Sequence, residues 1–486
     1  MKKFSKIFLV AIVTVIISAT LFGCQSFKWG PVGTNNPDAE VINNGSPVVQ
    51  QGEYIYFVNG KADATSIKKP SDNYFGKAAV KGSILKAKIA ADGSLSETAV
   101  VVPKMYMSNN ANTGLYVFKD WIYYSSPSTS TNNKDEVLTT QLEFFRTKTD
   151  GTTTQKIATL EDDKAQFIFT ETAFIYFEKN TLNKVSYTEK KIGKKTEIAK
   201  DITTVLFTKQ SSDIFFVKAD EDKAISSTNI FVIHGDSAIE TVFDSKTYAT
   251  AEKPTLAEQK TITISSYDRV HKVLYYTKKN NSGDAKTGTY GYQFVDNNFK
   301  VDRAKEKKFA NASITTVYGL GFEDGFINIA DANGLVYKPM ADDVNENVSN
   351  KDTKLNFSAQ PTILFQENDF LYYLINNKLK RLNYKAVGTA RIEEDLSDEN
   401  ISSTWFAPTK IGTFVYYFNS DIFDYNYRLN LADYKLENNK LTKAKSSATC
   451  GLEANDKTKD GFIPKFMTYA DKKSYIEKFP VEKEKE

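Results

Sequence analysis

The chain has little of what catalytic and metal chemistry draws on: two histidines and two cysteines in 486 residues. No Cys-x-x-Cys pair occurs, and a histidine-based zinc site needs more ligands than two imidazoles supply. A serine nucleophile needs a base beside it, usually histidine. His234, in Ile233-His234-Gly235-Asp236, is expected at a strand end and turn. His271, in Arg269-Val270-His271-Lys272, is expected on the opposite face, so the two would not converge and each reads as a structural or surface residue. Tryptophan is scarce as well. Trp121 and Trp405 fall in strands expected to be buried and Trp29 in a polar stretch, which removes the exposed indoles that sugar binding favours. No phosphate-cradling glycine loop or nucleotide motif is present. The sequence thus assigns no catalytic residue, no metal site and no cofactor.

A net excess of one charge is missing too. The formal charge is +3, but Lys2, Lys3 and Lys6 belong to the first 23 residues, and the remaining 60 basic residues match 60 acidic ones. Such a balance argues against nucleic acid as a partner. Acidic clusters stand at Asp220-Glu221-Asp222 and at Asp342-Asp343 with Asn345 and Glu346. The second alternates Asp343, Asn345 and Asn347 as a calcium loop would. It has Val348 where the sharp turn wants glycine and Lys354 where a bidentate glutamate is needed, so calcium is not expected there. Paired carboxylates for glycoside cleavage cannot be located from sequence, because their separation depends on the fold.

The one long apolar run lies at the start, from Ile7 to Phe22 behind the three lysines. It is short for a membrane span, which needs roughly 20 residues. It has the proportions of a secretory signal, with the small residue Gly23 before the cut. Leu21-Phe22-Gly23-Cys24 resembles the lipobox of bacterial lipoproteins, although Phe22 stands where that family usually has a small residue. The resemblance implies removal of residues 1–23, cleavage after Gly23, and acylation of the Cys24 thiol with fatty acid such as palmitate. The chain would then be extracytoplasmic and held on a bacterial membrane by lipid. An uncleaved anchor with Cys24 as a bystander is the alternative. Residues 24–46 are polar and broken by Gly30, Pro31, Gly33, Pro37 and Gly45, and read as a flexible tether reaching on the order of 25 Å. With Cys24 acylated, Cys450 has no partner within the chain and reads as a small buried residue or a reactive thiol.

Beyond the tether one pattern dominates. A core of four aromatic or β-branched residues recurs eight times. It reads Tyr54-Ile55-Tyr56-Phe57, Trp121-Ile122-Tyr123-Tyr124, Phe174-Ile175-Tyr176-Phe177 and Ile214-Phe215-Phe216-Val217. It returns as Val273-Leu274-Tyr275-Tyr276, Phe326-Ile327-Asn328-Ile329, Phe370-Leu371-Tyr372-Tyr373 and Phe414-Val415-Tyr416-Tyr417. The spacing averages about 51 residues, the length of a four-stranded propeller blade. A short apolar strand precedes most cores, as at Leu115 to Phe118, Phe167 to Phe169 and Thr404-Trp405-Phe406. A third strand follows, as at Leu142 to Arg146 or Tyr427 to Asn430, and often ends in a hairpin signal such as Asp92-Gly93, Asp150-Gly151 or Asn438-Asn439. A more polar fourth strand closes the unit, as at Thr154 to Ala158. Helix-period patterns are nearly absent from this region, so an all-β chain is expected, as a β-propeller over 47–456. Eight blades, or seven with an appended hairpin, both fit; a β-sandwich or two barrels in tandem is the alternative fold. Residues 457–486 are expected as a closing segment and charged tail.

These repeats resemble those of bacterial surface lipoproteins related to the low-density-lipoprotein-receptor type of β-propeller. There an aromatic Tyr-Tyr strand precedes a strand ending in an Asp-Gly turn. The resemblance implies fold and carries over no catalytic residue. Within each blade the turns between strands one and two and between three and four share one face. The longer loops, at about 58–82, 125–141, 218–228 and 277–289, gather on the other. That face is the expected binding surface, with Tyr74 and Phe75 as contacts, since binding residues concentrate on loops held by a rigid scaffold. The function expected is a lipid-anchored envelope module that binds a protein, peptide or glycan. An extracellular hydrolase or lyase with carboxylates in the central funnel, and a structural envelope subunit, are the alternatives.

Overall fold

Aromatic and β-branched side chains favour a pleated, half-buried surface, and each repeated core forms a strand. The computed structural model describes residues 33–60, 82–93, 95–102, 105, 114–127, 140–162, 164–208, 213–219, 228–235, 237–243, 260–268, 272–280, 288–294, 301–310, 314–318, 325–329, 334–338, 354–397, 400–402, 407–418, 426–437, 440–443, 448–450 and 467–468. Between 278 and 354, and after 434, it describes the backbone.

Among these residues eight antiparallel sheets of four or five strands follow one another along the chain. Every repeated core lies in the second of the four blade strands of its sheet, counted in sheet one from Val48–Gln51: Tyr54–Asn59, Trp121–Pro127, Ala173–Glu178, Asp213–Ala219, Val273–Asn280, Gly325–Ile329, Phe370–Ile375 and Phe414–Phe418. The tight turns have the left-handed conformations that two-residue hairpins need. Lys179-Asn180, Asn368-Asp369 and Asn376-Asn377 all take positive φ. The sheet order follows the chain order within each sheet, so no sheet mixes strands from the two ends of the chain.

Neighbouring sheets meet face to face and by their first strands. The first strands of sheets three, four, five and six touch in sequence. One apolar cluster joins sheets two, three and four through Phe144, Phe169, Phe174 and Phe216. Others join four to five, six to seven and seven to eight. Ile55, Phe57 and Leu85 of the first sheet pack with Ile411 and Tyr416 of the eighth. The succession of sheets therefore returns to its start, and the fold is a β-propeller.

Closure relies on side chains. Arg428 Nη1 donates to Gly93 O at 2.6 Å, and its guanidinium lies 4.3 Å from the Phe414 ring centroid. Asn43 Nδ2 donates to Lys410 O at 2.6 Å. Gly93 sits in the turn between Ser83–Ile89 and Leu95–Val102 with φ +80°, and a Cβ there would meet Phe414 Cζ at 2.4 Å.

The Arg428 arrangement recurs. A buried cation on the third strand stands directly opposite the second aromatic of the core and beneath the first. The register pairs are Tyr56 with Lys86, Tyr123 with Arg146, Tyr372 with Arg381 and Tyr416 with Arg428. The cations lie 4.5 Å from the Tyr54 centroid, 4.2 Å from Trp121 and 4.5 Å from Phe370 in the first three. Arg146 Nε donates to Gln155 at 2.8 Å and Arg381 Nε to Glu394 at 2.5 Å, each across to the fourth strand. Arg146 Nη2 reaches Glu189 O at 3.2 Å, in the outer turn of the next sheet, just as Arg428 reaches Gly93. A cation over a ring in such a desolvated place is worth about 0.5–2 kcal/mol.

Three sequence expectations change. Residues 33–46, within the expected tether, are packed. Asn35 is 8% exposed and holds Gln51 Oε1 at 2.9 Å, while Lys86 donates to Gly33 O at 2.7 Å and to Asn35 Oδ1 at 3.2 Å. Val41–Ile42 adds a strand to sheet one, and Asn44 pairs like backbone with Val117. The buried Lys86 needs acceptors, and Gly33 and Asn35 supply two of them. The first strand of sheet eight is Thr409–Ile411, paired with Phe414 to Tyr416, in place of Thr404–Phe406, which lies outside the described residues. The turn expected at Asn438-Asn439 belongs to a separate hairpin of Tyr434–Glu437 and Lys440–Lys443. The fourth strand of sheet eight is Ala448–Cys450, which carries Cys450, and Met467–Thr468 adds a fifth.

Gly412 has φ +56° and open space around its Cβ position, so Gly412→Ala carries backbone strain alone, about 1–2 kcal/mol. Gly93→Ala adds overpacking of about 1–3 kcal/mol, and urea melts of both variants should show the larger loss at Gly93. Burial pushes the Lys86 amine down to about 8. The unfolded chain then binds more protons than the folded one between about pH 8 and 10.5, so this residue's cost falls as pH rises. Relative to Lys86→Met, wild type should gain about 2 kcal/mol between pH 7.5 and 10. A flat difference across those melts would contradict the assignment.

Candidate functional site

Second and third sheets leave a crevice of about 450 Å³ between them. Its walls come from the short turns: Lys119-Asp120, Glu171-Thr172 and Thr188-Glu189. Its floor is aromatic, with Phe118, Trp121, Tyr123 and Tyr187 around Arg146, and Pro37 of the N-terminal segment forms one edge. Strand alternation explains the gathering. Trp121 and Tyr123 point to one side of their strand, and their register partners Lys148 and Arg146 point to the same side of the next.

The ring faces are already in use. Arg146 lies 4.2 Å from the Trp121 centroid and 5.3 Å from Tyr187, and Lys148 lies 4.6 Å from Trp121. Tyr123 stacks on Tyr187 at 5.1 Å, and Phe118 meets Tyr123 edge-on at 5.7 Å. Burial raises the Tyr187 phenol well above its ordinary range; it donates to the carbonyl oxygens of Thr170 at 2.6 Å and Ala173 at 2.9 Å. Burial also raises Tyr123, against the opposing pull of Arg146. Both phenols stay neutral hydrogen-bonding groups.

Charges at the mouth are paired. Lys119 meets Asp38 at 2.7 Å and Glu171 at 3.9 Å; Lys148 meets Glu189 at 3.6 Å and Asp120 at 3.9 Å. Such exposed pairs contribute little stability, but they leave the mouth balanced, with Lys119, Arg146 and Lys148 against Asp120, Glu171 and Glu189. One donor is left over. Trp121 is 5% exposed, and its Nε1–H has no acceptor among the described residues. A buried N–H without a partner costs about 1–3 kcal/mol.

This crevice opens on the short-turn face, not on the long-loop face expected from the sequence. Tyr74 and Phe75 lie outside the described residues, as do Gly23, Cys24, Trp29, Trp405 and the Asp342–Asn347 segment. His234 ends the strand Thr228–His234, as expected, and pairs with Asp213 at the start of Asp213–Ala219. His271 is outside the described residues. Among the described residues no group of three or more His, Cys, Asp or Glu could hold a metal ion. No helix among them is long and apolar enough to cross a membrane.

Arg146 is not among the site residues expected from the sequence, although it ends the expected third strand Leu142 to Arg146. The signal was there: a cation set between apolar residues of the third strand, as Arg146 follows Phe144-Phe145, Lys86 lies between Leu85 and Ala87, and Arg428 between Tyr427 and Leu429.

The sequence matches no protein-family model and no curated protein. Among solved structures, AztD from Citrobacter koseri is similar at 9% identity, covering 85% of this chain and 96% of that one, with a TM-score of 0.38. The β-propeller domain of the trilobed protease from Pyrococcus furiosus is similar at 8% identity, over 84% and 97%, with a TM-score of 0.33. Hsv2p from Kluyveromyces lactis is similar at 11% identity, over 71% and 92%, with a TM-score of 0.34. At these values the likeness says nothing of function, and the propeller assignment rests on the sheets of this chain.

Proposed function

We propose that this chain is a lipid-anchored, extracytoplasmic binding module of the bacterial cell envelope, and that the crevice between the second and third sheets is its ligand site. The signal-like Ile7–Phe22 run and the lipobox-like Leu21 to Cys24 support the address and the anchor. One observation carries the binding reading: an open crevice lined by four aromatic residues keeps a buried Trp121 N–H without an acceptor. Binding sites in general combine an apolar lining with a few placed polar groups.

The test is fluorine NMR on the full chain in detergent, labelled with 5-fluorotryptophan. The three tryptophans give three signals, and Trp121→Phe assigns the one that matters. Titration with muropeptides, oligosaccharides and capped peptides should find a compound that moves the Trp121 signal. Thr172→Trp, at an exposed position in the wall, should weaken that compound at least tenfold with an unchanged melt. No compound moving Trp121, or equal binding by Thr172→Trp, would contradict the site. Fatty-acid labelling in cells, lost in Cys24→Ser, checks the anchor.

A further inference from the structure

The groove between the first and second sheets has the same construction as the crevice, and it is filled. Register places Glu53, Tyr54, Tyr56, Lys86 and Lys88 where the second sheet has Asp120, Trp121, Tyr123, Arg146 and Lys148. Even the ion pair recurs, with Lys88 on Glu53 at 3.2 Å and Lys148 on Asp120 at 3.9 Å. The occupant is the chain itself. Gly33 to Pro37 lies in this groove, and the buried cation takes two carbonyl oxygens from it, Gly33 O and Asn35 Oδ1. Thr149 Oγ1, from the second sheet, donates to the same Asn35 Oδ1 at 2.9 Å, and Gln51 Nε2 donates to Pro37 O at 3.2 Å. A polypeptide segment is thus what one copy of this groove holds, seated by donors on its carbonyl groups.

We infer that the crevice between the second and third sheets takes an extended, uncharged peptide segment of a partner protein, seated through its carbonyl oxygens. The inference rests on the binding reading above and names its ligand class. Three features of the crevice carry it besides the filled neighbour. Donors line its floor: Arg146 bonds Gln155 and Glu189 O and lies beside the Tyr123 hydroxyl, and the buried Trp121 Nε1–H has no acceptor among the described residues. The charges at the mouth cancel, which disfavours a strongly charged ligand. The ring faces are covered by Arg146, Lys148 and by Tyr123 on Tyr187, so the stacking platform a sugar would use is occupied.

The two grooves differ in depth. The amides of Thr149 and Tyr187 hold equivalent places, bonding Asp120 O and Thr172 O respectively. The Tyr187 ring fills the slot that Thr149 leaves open to the Asn35 side chain. The peptide in the crevice therefore lies shallower and is held by main chain rather than by an inserted side chain.

The probe is the capped pentapeptide of residues 33–37, Gly-Thr-Asn-Asn-Pro, added to the fluorotryptophan-labelled full chain. It should move the Trp121 signal saturably. A scrambled pentapeptide should bind within threefold of it, and Thr172→Trp should weaken both at least tenfold. An oligosaccharide that moves Trp121 where neither peptide does would overturn the peptide assignment and leave the binding module standing. A scrambled peptide that fails while the native order binds would overturn main-chain seating. If no compound moves Trp121, both readings fall together.

Discussion

A cation withdrawn from water must find a ring face or an oxygen, and this propeller places four such cations at equivalent points. Lys86, Arg146, Arg381 and Arg428 are all buried, and each lies against the first ring of its own core. Their remaining donors need acceptors that lie outside the cation's own strand. Arg146 and Arg428 find them in the outer turn of the next sheet, and Lys86 finds them in residues 33–35. The four belong to sheets seven, eight, one and two, a continuous run centred on the seam between the chain's ends. Among the described residues no strand crosses that seam, and such contacts join sheet one to sheet eight, together with the apolar cluster around Ile55 and Tyr416.

The same requirement shapes the site. In the groove after sheet one the cation is satisfied by a segment of the chain, which is thereby fixed. In the groove after sheet two the cation is satisfied mostly by its own and the next sheet, and space remains. An ordinary difference in side chains, Lys86 against Arg146 and Thr149 against Tyr187, separates a filled groove from an open one.

Much of the fold was legible before any coordinates, because aromatic and β-branched residues mark a strand wherever it sits. All eight cores occupy second strands, and the Asp92-Gly93 and Asp150-Gly151 turns lie between third and fourth strands. The eighth unit was less legible. Trp405 is apolar enough to suggest a strand, but the register of Phe414 to Tyr416 is met by Thr409–Ile411. The tether boundary failed for a different reason. Gly33, Asn35 and Pro37 have the composition of a linker, and the groups that seat them, Lys86, Gln51 and Thr149, lie far along the sequence. The binding face was sought in loop length, a surface property, whereas the crevice comes from the spacing of Trp121, Tyr123 and Arg146 across two strands. Those three residues were in view, but which of them share a face depends on register, which no residue-by-residue reading supplies.

Native-state hydrogen exchange on Arg428→Ala would test most directly whether these cations join neighbouring sheets. The account predicts that the strands Val48–Gln51, Tyr54–Asn59 and Phe414–Phe418 lose opening free energy together, while Ala173–Glu178 and Asp213–Ala219 keep theirs. A uniform loss across all sheets, or none at the seam, would contradict it.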